Sequence, residues 1–200
     1  MRRSIVHGFA GLALLCATLA TADPAQQLVD AARERTLRSE IYDGSYQRIG
    51  YPLGDVAQDR GVCTDLVIRS YRRLGIDLQV LVHEDMRAHF GAYPALWGLR
   101  APDRNIDHRR VPNLQTYFSR AGGALAMPVR IQALRPGDLL TWMLPGNLPH
   151  IGIVSDQRSA DGERPLILHN IGAGPVEEDM LSRYPITGHY RYMPPAPEPR

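Results

Sequence analysis

Through the first two-thirds of the chain, apolar positions recur at three- and four-residue steps. The last third instead holds short apolar runs cut by Gly and Pro. The strongest helical repeat is Val62, Leu66, Val67, Ser70, Tyr71 and Leu74, which predicts a helix over residues 61–74 closed by Gly75. Leu28, Val29, Ala32 and Leu37 predict an earlier helix over 24–37, with Asp23 as its cap and Pro24 in the first helical position. Asp77 caps a further predicted helix over 78–90, and residues 112–121 form a short one stopped by Gly122 and Gly123. Residues 42–54 and 91–111 read as loops. Four strands are expected after that, over 138–144, 150–156, 166–171 and 186–193, separated by Gly and Pro turns. Helices followed by an antiparallel meander make an α+β domain, expected over residues 23–193, with a disordered Pro-rich tail over 194–200.

The first 22 residues change the compartment. Arg2 and Arg3 precede an uncharged apolar run from Phe9 to Leu19, and Ala20-Thr21-Ala22 is a small-x-small cleavage pattern. This is the pattern of a secretory signal cleaved after Ala22, and the run is short for a membrane span. The expected location is periplasmic or secreted, with no stable membrane insertion after cleavage. The leader also accounts for the formal charge of +2: without its two arginines, 21 basic residues face 21 acidic ones. No block of like charge remains, so nucleic acid is a poor partner. The chain contains no lysine, which removes lysine Schiff-base chemistry and Ser-Lys dyads.

Of the two cysteines, Cys16 lies in the leader, so Cys63 is the one thiol expected after cleavage. It has no internal disulfide partner and is either an inert core residue or a reactive thiol. Its place in the first turn of a helix favours the second, because unpaired amides and the helix dipole stabilise a thiolate. A thiolate nucleophile needs an imidazole to share its proton. His150 is the best placed, at the mouth of an expected strand after Pro145, Gly146 and Pro149. Antiparallel pairing of that strand with the next brings His169 near it, as the polar residue that orients the imidazole. Sequence does not set the register, so Asn170, on the opposite face, stays open as the alternative for that role.

Two segments carry a resemblance: Arg135-Pro136-Gly137-Asp138-Leu139-Leu140-Thr141-Trp142 and His150-Ile151-Gly152-Ile153-Val154. They resemble the Pro-Gly-Asp strand and the histidine strand of NlpC-type and CHAP-type cysteine peptidases and amidases. Gly61-Val62-Cys63-Thr64-Asp65 resembles their cysteine helix start. A long insert between the cysteine and the Pro-Gly-Asp strand departs from that pattern. The insert, together with Val82-His83-Glu84-Asp85-Met86, Asn105-Ile106-Asp107-His108-Arg109-Arg110, His169-Asn170-Ile171-Gly172 and Thr187-Gly188-His189-Tyr190-Arg191, closely resembles an exported bacterial family known only as a domain of unknown function, DUF1287. The resemblance implies a papain-like, NlpC-type fold, a bacterial envelope location, and a peptide or cell-wall fragment as substrate, since NlpC-type relatives often cut amide bonds in peptidoglycan stem peptides. It also implies a tyrosine near the oxyanion site, matched by Tyr51.

Other polar groups admit two readings each. Asp107, His108, Arg109 and Arg110 are suited either to gripping a carboxylate-bearing substrate or to a salt-bridged loop over the core. Asp138, after Pro-Gly, reads as a turn-holding carboxylate, and Asp65 as a complement to the helix dipole. His83, Glu84, Asp85 and His89 suggest a metal only superficially, because the two histidines are six apart and a zincin helix needs them four apart. Neither metal nor cofactor is expected. The leading expectation is a cysteine amidase or peptidase; the alternative is a non-catalytic envelope-binding module on the same fold, and a metal-dependent carboxypeptidase comes last.

Overall fold

Asp23 accepts the Ala25 N–H at 3.0 Å and starts the first helix, α1 (Pro24–Arg35), at the expected residue. The structure is a computed structural model that describes residues 23–194. The expected leader over 1–22 and the tail beyond residue 194 lie outside the described residues.

Three more helices follow: α2 (Cys63–Arg73), α3 (Leu78–His89) and α4 (Val111–Arg120). Each lies within a few residues of its predicted span. Gly75 closes α2 at φ +78°, a conformation that suits glycine at this position. α2 is not merely amphipathic, because every residue from Cys63 to Tyr71 is buried. A helix enclosed on all sides must satisfy its polar side chains internally, and Ser70 does so by donating to the Leu66 carbonyl at 2.7 Å.

The strands are β1 (Ile41–Tyr42), β2 (Arg60–Gly61), β3 (Leu139–Leu144), β4 (Leu148–Arg158), β5 (Pro165–Asn170), β6 (Pro175–Glu178) and β7 (Ile186–Tyr190). β1 and β2 form a small parallel pair that the sequence does not predict, flanking the expected loop over 42–54. The main sheet has the order β6-β5-β4-β3-β7, all antiparallel. The expected meander is therefore modified twice. β6 was not anticipated, and β7 returns across the sheet to pair with β3.

The sheet is covered on both faces. Leu139, Ile151, Ile153 and Leu168 point into the helical core with Leu28, Leu66, Val67 and Phe118. Leu140, Trp142, Val154 and Ile167 point the other way, against Met180 and Leu181. Gly152 leaves room for β5, because a Cβ there would meet the Ile167 side chain at 2.7 Å and the Leu168 carbonyl at 3.0 Å.

Asp138 fastens β7 to the start of β3. Its carboxylate accepts from the Arg135 N–H at 3.0 Å, His189 Nε2 at 2.8 Å, and Arg191 Nε and Nη2 at 2.7 and 2.9 Å. The turn-holding role read from the sequence is present, and the two β7-end partners add to it. Among the described residues, no helix is long and apolar enough to cross a membrane.

Candidate active site

The chain enters α2 from β2, and this approach determines what surrounds the sulfur. Tyr42 pairs with Gly61 across β1 and β2. Gly61 has no room for a side chain: a Cβ would sit 2.9 Å from Glu40 Oε2 and 3.2 Å from Asp65 Cβ. Val62 is extended, and its N–H is taken by the Asp65 carboxylate at 2.7 Å, which closes the first turn of α2. The Tyr42 hydroxyl lies beside Cys63, close enough for each group to act on the other's titration. The Thr64 and Ile151 amides also face the sulfur and favour its thiolate.

Cys63 is 4% exposed. Burial pushes its thiol up to about 11, against the pull of the Ile151 amide, with a further push from Asp65 and a lesser pull from the Thr64 amide and the Tyr42 hydroxyl. The expectation that the helix start favours the thiolate is thus reversed in this state, because desolvation outweighs the dipole and the hydrogen bonds. The Tyr42 hydroxyl is likewise held protonated, first by burial and then by the sulfur beside it.

His150 follows a turn in which Gly146 and Asn147 take positive φ. The strand begins at Leu148 rather than at His150, and Pro149 is tolerated within it because the pairing with β5 stops at Ile153–Leu168. The Ile151 amide at the sulfur puts Cys63 one residue along β4 from His150. No hydrogen bond between Cys63 Sγ and His150 is formed; the ring instead bonds His169, Nε2 to Nδ1, at 3.1 Å. Burial and the neighbouring His169 push His150 down to about 3.

His169 is fully buried, and its Nε2 lies 3.1 Å from Glu178 Oε1. Burial lowers its pKa, and Glu178 opposes that shift. His169 and not Asn170 therefore contacts the His150 ring. Asn170 Oδ1 caps the Gly172 N–H at 3.1 Å, and its buried Nδ2 has no partner.

The remaining candidates stand elsewhere. Tyr51 does not reach the sulfur; its hydroxyl donates to Glu84 at 2.8 Å, and its ring packs edge-on to His83. The cause is local: the Leu53 and Gly54 N–H groups are held by Asp77 and Gln79 at the start of α3, which draws the segment away. The hydroxyl at the sulfur belongs to Tyr42, in a two-residue strand with no periodicity to betray it.

Asp107, His108 and Arg109 form a buried 3-10 turn, exposed by 1%, 2% and 6%, and so cannot grip a substrate. Arg109 clamps Asp65 with Nε and Nη2 at 2.8 and 2.9 Å and also holds the Asp43 and Ser45 carbonyls. The Asp107 carboxylate accepts the Asp103 N–H, and burial pushes its pKa up to about 6. Burial, with the Arg109 cation, pushes His108 down to about 3. The run is a brace behind the helix start, the salt-bridged alternative of its two readings. Arg110 lies over the exposed Trp97 ring at 4.2 Å. Among the described residues, no three His, Cys, Asp or Glu side chains gather as a metal site.

The family described as "Domain of unknown function (DUF1287)" matches residues 29–192. "Uncharacterized protein YijF" of Escherichia coli (strain K12) is 49% identical over 166 residues, covering 83% of this chain and 80% of that protein. Two solved structures are similar, NlpC1 and NlpC2 from Trichomonas vaginalis, with TM-scores of 0.48 and 0.49 at 15% and 16% identity. Each match covers 88% of this chain but 46% and 48% of the other, so the chain spans about half the length of those structures.

Proposed function

The chain belongs to the DUF1287 family, and on the geometry around Cys63 we propose that it is a cysteine amidase or peptidase of the bacterial cell envelope. The observation that carries this is the setting of the sulfur. It sits at the start of α2, where the Ile151 and Thr64 amides and the Tyr42 hydroxyl all favour its thiolate, next to a strand histidine whose ring contacts a second histidine at 3.1 Å. A core cysteine needs no donors, whereas a nucleophile that becomes anionic does. The leader pattern supports the envelope location.

In this reading the resting thiol and imidazole are both neutral, and substrate entry brings them into proton exchange. His150 takes the thiol proton as the sulfur attacks the carbonyl carbon. The C–N bond then breaks, and the imidazolium returns the proton to the leaving amine. Water cleaves the resulting thioester by the same route in reverse. A peptide amide, such as one in a peptidoglycan stem peptide, is the substrate class proposed.

Cys63→Ala should lower turnover of purified cell-wall fragments by about a thousandfold or more, with an unchanged far-UV circular dichroism spectrum. Turnover equal to wild type in a folded variant ends the proposal.

A second reading, a non-catalytic envelope-binding module, draws on the raised thiol pKa and the missing sulfur–imidazole bond. The two readings part on iodoacetamide labelling of Cys63 between pH 7 and 10. A module alkylates at the same rate with or without His150, as an ordinary buried thiol. The hydrolase reading expects the rate in His150→Ala to fall by about tenfold, since the imidazole is the proton acceptor.

A further inference from the structure

Beyond the pair of histidines lies a carboxylate for which the sequence reading had no role. Glu178 ends β6, the unanticipated strand, and pairs in register with Ile167 while His169 pairs with Val176. This register puts Glu178 on the same face as His169, diagonally across the ladder, with its Oε1 3.1 Å from His169 Nε2. Its side chain is 36% exposed, whereas His169 is fully buried and His150 is 1% exposed. Arg183 Nη1 approaches the same carboxylate oxygen at 3.4 Å from the solvent side.

We infer that Glu178 is a positioning residue that sets the tautomers of both buried histidines, and through them leaves His150 Nδ1 unprotonated as the base. An ionised carboxylate only accepts hydrogen bonds, so His169 must carry its proton on Nε2. A neutral His169 then has a bare Nδ1, which can only accept. The 3.1 Å contact with His150 Nε2 is therefore a donation from His150. A neutral His150 that carries its proton on Nε2 has its lone pair on Nδ1. Both rings are held neutral by burial, as the lowered pKa of each requires. One half-exposed carboxylate thus dictates the proton positions two residues inward.

Without it the pair has two arrangements of similar energy. The second donates from His169 Nδ1 to His150 Nε2 and places the remaining His150 proton on Nδ1, where it blocks the base. The carboxylate also stabilises the imidazolium that forms during the reaction, relayed through His169. The first consequence is independent of any catalysis; the second rests on the cysteine-hydrolase reading.

The test is long-range proton–nitrogen NMR of the histidine rings in 15N-labelled protein, paired with turnover of cell-wall fragments. In wild type both His150 and His169 should show the Nε2–H form. Glu178→Gln can either accept from or donate to His169 Nε2, so it no longer fixes the proton there and should leave the two tautomers mixed. Glu178→Ala should shift both rings towards the Nδ1–H form and lower kcat by about 10- to 100-fold with KM little changed. A wild-type His150 in the Nδ1–H form overturns the inference, as do ring nitrogens unmoved in Glu178→Ala. Tautomers that respond as described in a protein without turnover support the Glu178 assignment and refute the hydrolase reading, so the two can fail separately.

Discussion

Arg109→Leu should destabilise the fold by about 3–5 kcal/mol, the usual cost of leaving one member of a buried ion pair alone. The side chains of Arg109 and Asp65 are 2% and 3% exposed, so water cannot replace the lost guanidinium. The stranded Asp65 carboxylate is also the group that holds the Val62 N–H at the start of α2. Removing its partner therefore loosens the turn that carries Cys63, and it frees the Asp43 and Ser45 carbonyls next to Tyr42. Urea denaturation with an unchanged m-value measures the loss. Adding Asp65→Asn to Arg109→Leu should recover much of the stability, because the amide oxygen still caps Val62 and no unpaired charge remains. A single-variant loss under about 1 kcal/mol would show the pair to be solvated, contrary to its burial.

Acidification from pH 7 to pH 5 should cost the fold about 3 kcal/mol. His108 and His150 are both buried and held down to about 3. An unfolded histidine titrates near 6.5, so below that pH the unfolded chain takes up protons that the native state refuses. The stability each provides is complete above pH 6.5 and is lost as the pH falls towards 3. At pH 5 each has given up about 2 kcal/mol. Asp107 works in the opposite sense. Its native carboxyl holds a proton up to about pH 6, whereas the unfolded one gives it up at the ordinary carboxylate value. Acidification across that window therefore returns about 1 kcal/mol. Urea midpoints at the two pH values decide the matter, and His108→Leu should remove about 2 kcal/mol of the difference. Equal stability at pH 5 and pH 7 would mean that the rings are hydrated in solution.

The helices were legible because their apolar repeats and end signals agree. Asp23 and Asp77 cap where expected, and Gly75 stops α2. The strands β3, β4 and β5 were legible from breakers around short apolar runs, and the facing of His150 and His169 followed from antiparallel pairing alone. β1 was not legible, because two residues carry no period and their partner lies 19 positions later, from Ile41 to Arg60. Tyr42 therefore carries no sequence signal, and the tyrosine that the resemblance offers, Tyr51, lies away from the sulfur. The Asp107–Arg109 turn was misplaced for a different reason. Charged runs look solvated unless their partners are known, and the bond to Asp65 spans 44 residues of sequence. β6 has only four residues, and with it Glu178 escaped notice.

The seam at Asp138 bears on how the chain is made. Its His189 and Arg191 partners arrive 51 and 53 residues after it, at the end of the β7 strand. A chain that has formed α1, α2 and the β3–β4 hairpin satisfies Asp138 through the Arg135 N–H alone until β7 docks. Completion of the sheet is thereby tied to the docking of β7, and a fragment that stops before Ile186 should have a lower urea midpoint than the full domain.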